Sequence, residues 1–420
     1  MGQTITEKIL ARASGMNSVR PGDIVWVKVD LVMMNDSGGP RRIAANLERL
    51  AARVWDADRI TVVADHFVPA CNDTEANIIS LTRQWVQRYG INKYHELEGV
   101  CHIVPIEKGY VLPGIMMVGG DSHSCTAGAM GALVVALGST DMLGVLVKGS
   151  TWLKVPETIR IEWKGELPHG TSAKDMILFN IKQLGLDGAT YKVVEFAGET
   201  VHRLSIDERI VLTNMTIEMG AKTGIIEPDE TVFQYLVQRT SAHYFPLYSD
   251  PDAEYSRVIR CRAEELEPMV ACPHSPDNVE KVSALPDLPV QQALIGACTG
   301  AKYTDLEAAA RVVSGRRAAP GVRFLVAPAS RQILQRAAND GVLSRLVEAG
   351  ATILPPSCGP CAGLSNGILA AGERCVASTN RNFKGRMGSP EAEVFLASPA
   401  TVAASAIAGK IADPRAYLRG

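Results

Sequence analysis

Arg59-Ile-Thr-Val-Val-Ala-Asp-His66 decides how this chain folds. The run from Ile60 to Ala64 is continuously apolar or β-branched, as in a parallel strand buried on both faces. Asp65 and His66 then leave at its carboxyl end, where open α/β sheets gather their sites. Outward from this stretch, Asp23-Ile-Val-Trp-Val-Lys-Val-Asp30 and Val322-Arg-Phe-Leu-Val-Ala327 read as further strands. Helical spacing marks residues 40–54, 74–89, 303–314, 330–339 and 400–411. Strand followed by helix, repeatedly, predicts the α/β class, in layers.

At 420 residues the chain is too long for one core. The composition shifts near Val155-Pro156, and the Pro-rich stretch from Pro268 to Pro289 reads as a linker. Three α/β units are therefore expected, at 1–155, 156–284 and 285–420. Aromatics are sparse and the net charge is only -2, which argues against nucleic acid or acidic membranes as general partners. The apolar stretch from Gly128 to Val147, broken by Ser139-Thr140-Asp141, reads as a buried helix and not a membrane span. Nine cysteines, an odd number, and no signal peptide imply a reducing compartment, the cytoplasm. Gly2 and Thr6 match a short myristoylation pattern, but Thr4-x-x-Glu7 is a capping box and Gly15 a helix stop, so a helix is expected there.

Three cysteines stand apart. Cys298 lies in Gly-Ala-Cys-Thr-Gly, and Cys358 and Cys361 in Ser-Cys-Gly-Pro-Cys-Ala-Gly. Converging, they would give a soft metal three thiolates and leave one position open, as a catalytic rather than a structural site does. A Cys-x-x-Cys pair alone fits a redox couple or half a structural zinc site equally well. The other six cysteines (Cys71, Cys101, Cys125, Cys261, Cys272, Cys375) are expected to be small buried hydrophobes.

Acid–base candidates cluster nearer the amino terminus. Asp65-His66 follows a strand, His102 follows Cys101, and Gly119-Gly-Asp-Ser-His-Ser-Cys-Thr-Ala-Gly128 sets Asp121, Ser122 and His123 in a glycine-framed turn before an apolar helix. A carboxylate beside an imidazole fixes its tautomer and raises its basicity. The glycine-rich turn lacks the spacing of a phosphate loop. Near the carboxyl end, Ser378-Thr-Asn-Arg-Asn-Phe-Lys-Gly-Arg-Met-Gly388 places Arg381 and Arg386 in a loop, either as a bidentate clamp for carboxylates or as a solvated basic turn.

Together with Ala-Asp-His-Phe and Asn-Met-Thr-Ile-Glu-Met-Gly-Ala-Lys, these motifs span the chain. It resembles the large-subunit branch of the aconitase family that comprises isopropylmalate dehydratases and homoaconitases. The resemblance implies a three-layer, aconitase-like arrangement of about three α/β units around a [4Fe–4S] cluster. Cys298, Cys358 and Cys361 would hold it, with one iron not ligated by protein. It pairs Asp65 with His66, Asp121 with His102 and Glu218 with His123, and counts Ser122 among the catalytic group. Asn35, Asn214, Asn380, Arg381 and Arg386 become substrate-binding residues, although relatives carry Gln or His at the position of Asn35.

The implied reaction dehydrates and rehydrates a 2-hydroxy di- or tricarboxylic acid. The leading expectation is 2-isopropylmalate to 3-isopropylmalate through isopropylmaleate. Homocitrate-type, 2,3-dimethylmalate and citraconate/malate-type acids share the same reacting unit. The swivelling domain of full-length aconitases is not found before Gly420. In the branch this chain resembles, a separate small subunit brings the catalytic serine and the specificity loop, and the same is expected here. Readings of another class, a zinc-dependent structural module or a cluster-free RNA-binding protein, leave the acid–base residues or the near-neutral charge unexplained.

Overall fold

Residues 2–418 are described in a computed structural model. The first sheet has five parallel strands in the order Lys93–Glu96, Ile60–Ala64, Leu31–Asn35, Met116–Gly119, Leu133–Ala136. Its central strands are wholly buried, as their uninterrupted apolar runs require. The helices Pro40–Arg49 and Asp73–Arg88 lie where spacing placed them.

A second sheet orders Thr223–Ile226, Val193–Ala197, Thr158–Lys164 and Arg257–Arg262. A third has seven strands: Val279–Lys281, Met269–Ala271, Glu393–Ala397, Arg374–Ala377, Gln292–Ile295, Arg323–Val326 and Thr352–Ile353. The last five run parallel. Helices Tyr303–Val313, Arg331–Asn339 and Pro399–Ala408 follow the sequence pattern. By packing, the chain divides into two compact units. One contains residues up to 96, 101–164 and 187–261; the other contains 97–100, 165–186 and 262 onward.

Several local readings change. The stretch 128–147 is not one helix. It passes from a 3-10 segment, Ser122–Met130, into the strand Leu133–Ala136 and then the helix Ser139–Lys148. Gly131 makes the break at φ 74°, where an added Cβ would meet Pro228 at 2.7 Å, and the β-branched pair Val134-Val135 favours a strand. The Pro-rich stretch read as a linker contributes two strands, Met269–Ala271 and Val279–Lys281, to the third sheet. Ile24–Lys28 stays out of the main sheets and pairs antiparallel with Ser150–Lys154, setting Trp26 opposite Trp152. The amino terminus is the expected helix, Ile5–Ser14, with the Thr4–Glu7 capping box and Gly15 in the left-handed conformation.

Candidate active site and sulfur cluster of ligands

Within the first unit, strand Leu31–Asn35 lies between Ile60–Ala64 and Met116–Gly119. Three adjacent carboxyl ends therefore release Asn35-Asp36, Asp65-His66 and Gly120-Asp121 side by side. His66 Nδ1 lies 2.7 Å from Asp65 Oδ1. The second oxygen of Asp65 accepts the Cys101 N–H at 2.7 Å, which fixes the loop carrying His102. Asp36 accepts the backbone N–H groups of Asp65, His66 and Phe67 at 3.3, 3.0 and 2.8 Å, and so sets the turn that aims His66. Burial, then the charge of Asp65, raises the carboxyl pKa of Asp36. Asn35 is fully buried, and its side-chain oxygen accepts the Gly38 N–H at 2.8 Å.

Asp121 joins two histidines. Its Oδ1 lies 3.1 Å from His102 Nε2 and accepts the His123 N–H at 3.0 Å. Burial pushes this carboxyl up, but the hydrogen bonds to His102 and His123 more than reverse that and hold it well below the usual range. His123 Nε2 meets Glu218 Oε1 at 2.7 Å, and Ser122 Oγ lies 3.4 Å from His123 Nδ1. Asn214 donates to Thr126 Oγ1 at 2.6 Å, and its carbonyl accepts from Cys125 Sγ at 3.2 Å. The donor atoms of His102, Asp121 and His123 lie within 4.8 Å of one another, close enough to hold a cation, but the Asp121–His102 and His123–Glu218 bonds already engage all three residues.

The cysteines occupy the second unit. Cys298 sits in the loop after Gln292–Ile295; Ser378 to Asn380 follow the neighbouring strand, Arg374–Ala377. Two features make this loop unusually tight. Ala297 adopts φ 66°, a conformation costing about 1 kcal/mol or more for a residue with a Cβ. Gly300 passes so close to Ser378 that an added Cβ would sit 2.1 Å from its Oγ. Cys358 precedes the short helix Gly359–Ala362, and its carbonyl accepts the Cys361 N–H at 3.1 Å. Gly363 ends that turn at φ 67°, against the Arg386 carbonyl, so the cysteine loop and the arginine loop pack back to back. Arg381 and Arg386 are half-buried.

None of the nine cysteines is in a disulfide, and Cys298, Cys358 and Cys361 are buried. The Asn380 amide reaches both sides of the set: its Nδ2 donates to Cys298 Sγ at 3.6 Å, and Cys361 Sγ donates to its Oδ1 at 3.3 Å. Two buried sulfurs on one amide, with Cys358 three residues before Cys361, fit a group held by thiolates. Of the other six, Cys101, Cys125, Cys261 and Cys375 are buried as expected; Cys71 is exposed and Cys272 half-buried, a correction due to their positions in loops. Burial pushes the Cys125 and Cys375 thiols up to about 12, which leaves them inert.

Sequence reasoning missed three residues that shape these arrangements. Asp36 follows Asn35, yet nothing in the sequence signals an acceptor for three backbone N–H groups. Thr126 pins Asn214 from within the Gly-Asp-Ser-His-Ser-Cys-Thr turn, and only the fold shows the contact. Lys174 looks like any surface lysine in the sequence and is fully buried.

Histidine–carboxylate pairs at the ends of one parallel sheet and buried sulfurs on the loops of another make this an α/β protein whose side chains suit proton transfer and soft-metal binding. Comparison with known proteins fixes the lineage. Residues 7–288 and 279–409 match the aconitase family (aconitate hydratase). The chain is 49% identical to the 3-isopropylmalate dehydratase large subunit 1 of Methanopyrus kandleri, over 100% of both chains. It is 45% identical to a probable 3-isopropylmalate dehydratase large subunit of Methanothermobacter thermautotrophicus, over 99% of both chains. A probable methanogen homoaconitase large subunit from the same organism is 44% identical, over 98% of this chain and 97% of the other. The chain belongs to the aconitase family. That membership makes it a hydro-lyase and implies an iron–sulfur cluster. No described helix is long and apolar enough to cross a membrane.

Proposed function

We propose that this chain is the cluster-bearing large subunit of a cytoplasmic 3-isopropylmalate dehydratase, active with a separate small subunit. The observation that carries the reading is the trio of buried cysteines outside any disulfide, two of them in contact with the Asn380 amide. Cys298, Cys358 and Cys361 would hold a [4Fe–4S] cluster. When bound, that group supplies Lewis acidity toward the substrate hydroxyl and carboxylate at an iron without a protein ligand.

The chain's own residues supply the rest. Asp65 holds Nδ1 of His66, leaving Nε2 to protonate the departing hydroxyl. His102 and His123, each anchored to a carboxylate, manage the proton of the water lost and regained, with Ser122 beside His123. Arg381 and Arg386 bind substrate carboxylates, which guanidinium groups do bidentately. Asn35, Asn214 and Asn380 complete the polar contacts. No residue here is matched to the base that removes the proton alpha to a carboxylate. A small-subunit serine fills that role, beside a loop that selects the substrate side chain. Loss of this proton and of hydroxide gives water and the alkene diacid, and re-addition in the other orientation moves the hydroxyl by one carbon.

Identity of 49% to a 3-isopropylmalate dehydratase large subunit, against 44% to a probable homoaconitase large subunit, favours isopropylmalate over the homoaconitase-type substrate. The test is anaerobic co-purification with the small subunit. A panel of 2-isopropylmalate, homocitrate, 2,3-dimethylmalate and citraconate follows, with iron and acid-labile sulfide measured on the same sample. The highest kcat/KM is expected on 2-isopropylmalate. Preference for homocitrate overturns the substrate, and zinc without sulfide overturns the cluster.

A further inference from the structure

Lys174 breaks two rules at once. It is 1% exposed, although lysine is almost never fully buried without a reason, and it lies in the first turn of the helix Ala173–Leu184, where the helix dipole disfavours a cation. Its surroundings supply the reason. Nζ donates to Thr299 Oγ1 at 3.0 Å, to the Ser378 carbonyl at 2.8 Å and to the Thr379 carbonyl at 2.7 Å. The Thr299 hydroxyl spends its own hydrogen on the Ser378 carbonyl at 3.0 Å, so it presents a lone pair to the lysine. Three acceptors match the three hydrogens of an ammonium; a neutral amine would turn a lone pair toward one of them.

Two of those acceptors adjoin residues of the sulfur site. Thr299 follows Cys298, and Thr379 precedes Asn380, whose amide touches Cys298 and Cys361. The charged and titratable groups facing Lys174 are Lys302, which opposes its charge, and Asp305, Cys298 and Cys361, which favour it. Lys302 is itself committed to Asp305 at 2.6 Å and to the Cys298 carbonyl at 3.2 Å. That pair is neutral overall and leaves the charge of Lys174 facing the sulfurs. A [4Fe–4S] core of charge +2 on three thiolates carries a net charge of -1, which a single ammonium offsets.

We propose that Lys174 is a positioning residue for the iron–sulfur group: it ties the Cys298 loop to the Asn380 loop and is the buried counter-charge to the thiolate-held cluster. The inference rests on the cluster assigned above and extends it to a residue that touches neither sulfur nor substrate in that reading. Burial, then Lys302, draws its ammonium down to about 7 when no cluster is bound, so binding an anionic group is what secures the charge.

The test uses the full chain reconstituted anaerobically, with Lys174→Met, which keeps the length of the side chain but loses the charge, and Thr299→Val, which keeps the charge but removes one acceptor. Iron, sulfide, far-UV circular dichroism and the one-electron midpoint potential are measured. Removing a positive charge disfavours the reduced, more negative cluster. At a fixed ambient potential the reduced-to-oxidised ratio of a folded Lys174→Met chain should fall about tenfold or more, which is 59 mV for one electron. Loss of iron and sulfide from a folded chain also supports the proposal. Wild-type cluster content and potential in folded Lys174→Met overturn it. If that variant does not fold, Thr299→Val decides: a smaller shift of the same sign supports the proposal, and an unchanged potential overturns it. A wild-type chain without iron and sulfide overturns both this inference and the cluster reading, so the two failures are told apart.

Discussion

Asp65→Asn isolates what one carboxylate does for one histidine. In the native chain Asp65 accepts on both oxygens, from His66 Nδ1 at 2.7 Å and from the Cys101 N–H at 2.7 Å. The backbone N–H is always a donor, so the single oxygen of Asn must stay with Cys101. The amide N–H₂ then faces His66 and accepts no proton from Nδ1. The imidazole is pushed toward the opposite neutral tautomer, with its hydrogen on Nε2, and its protonated form keeps only the more distant Asp36, 3.6 Å from Nδ1, as a charged partner. A hydrogen bond to a charged group is worth about 1.5–3 kcal/mol, which bounds the stability loss. The rate effect should be larger, because a positioned acid–base group contributes roughly 10²–10⁴-fold. The assay is kcat of the anaerobic pair with 2-isopropylmalate across pH, with cluster absorption as a control for assembly. The expected result is unchanged absorption, a fall in kcat of about a hundredfold or more and an altered pH profile. Turnover within twofold of wild type at every pH would refute the reasoning and make the Asp65–His66 pair a packing feature.

Three further outcomes are expected. Serine at Cys298, Cys358 or Cys361 should abolish the visible absorption of reconstituted protein, whereas Cys71→Ser, at an exposed loop position, should leave it unchanged. Arg381→Lys should raise KM and lower kcat together, because an ammonium cannot reproduce bidentate carboxylate binding; wild-type kinetics would return this loop to the role of a solvated turn. Asp121 is held below its usual range by His102 and His123, so it contributes stability that is present above that range and lost as pH falls through the depressed value. Urea midpoints of Asp121→Asn should therefore vary less with pH on the acid side than those of wild type, and parallel curves would count against the role given to these hydrogen bonds.

Much of this was legible because periodicity and termini are local. The buried strand Ile60–Ala64, the helix Asp73–Arg88 and the Thr4 capping box are dictated by residues within a few positions of one another. The stretch 128–147 misled because an apolar run does not tell a strand from a helix; Gly131, at φ 74°, divides it. The strands at 269–281 were hidden by the prolines around them, which are compatible with short segments at one end of a sheet. Motifs exposed the site residues that carry reactive groups, because unusual side chains stand out in a row of glycines. The same motifs were silent on Asp36 and Lys174. An acceptor for backbone N–H groups and a buried ammonium are properties of where distant loops meet, and Lys174 joins partners more than a hundred positions away along the chain.

The wiring of the histidines indicates how labour is divided among them. His66 holds Asp65 through Nδ1, with Nε2 3.9 Å from Asp121 Oδ2; His123 holds Glu218 through Nε2 and turns Nδ1 toward Ser122 Oγ. His102 spends Nε2 on Asp121, and its Nδ1 is buried with no hydrogen-bond partner among the described residues. A buried, unsatisfied ring nitrogen costs on the order of 1–3 kcal/mol, an expense that substrate or a water molecule donating to it would remove. Asp65 and Glu218 each hydrogen-bond one ring, while Asp121 bonds His102 and the His123 backbone and faces His66 Nε2 at 3.9 Å, so its carboxylate lies among three rings. Substitutions at His102 and Asp121 should therefore be strongly non-additive in kcat, whereas those at His66 and Glu218, which share no hydrogen bond, should come closer to additive. A double-mutant cycle on each pair separates a coupled relay from three independent residues, and additivity at His102–Asp121 would show that the 3.1 Å contact carries no catalytic coupling.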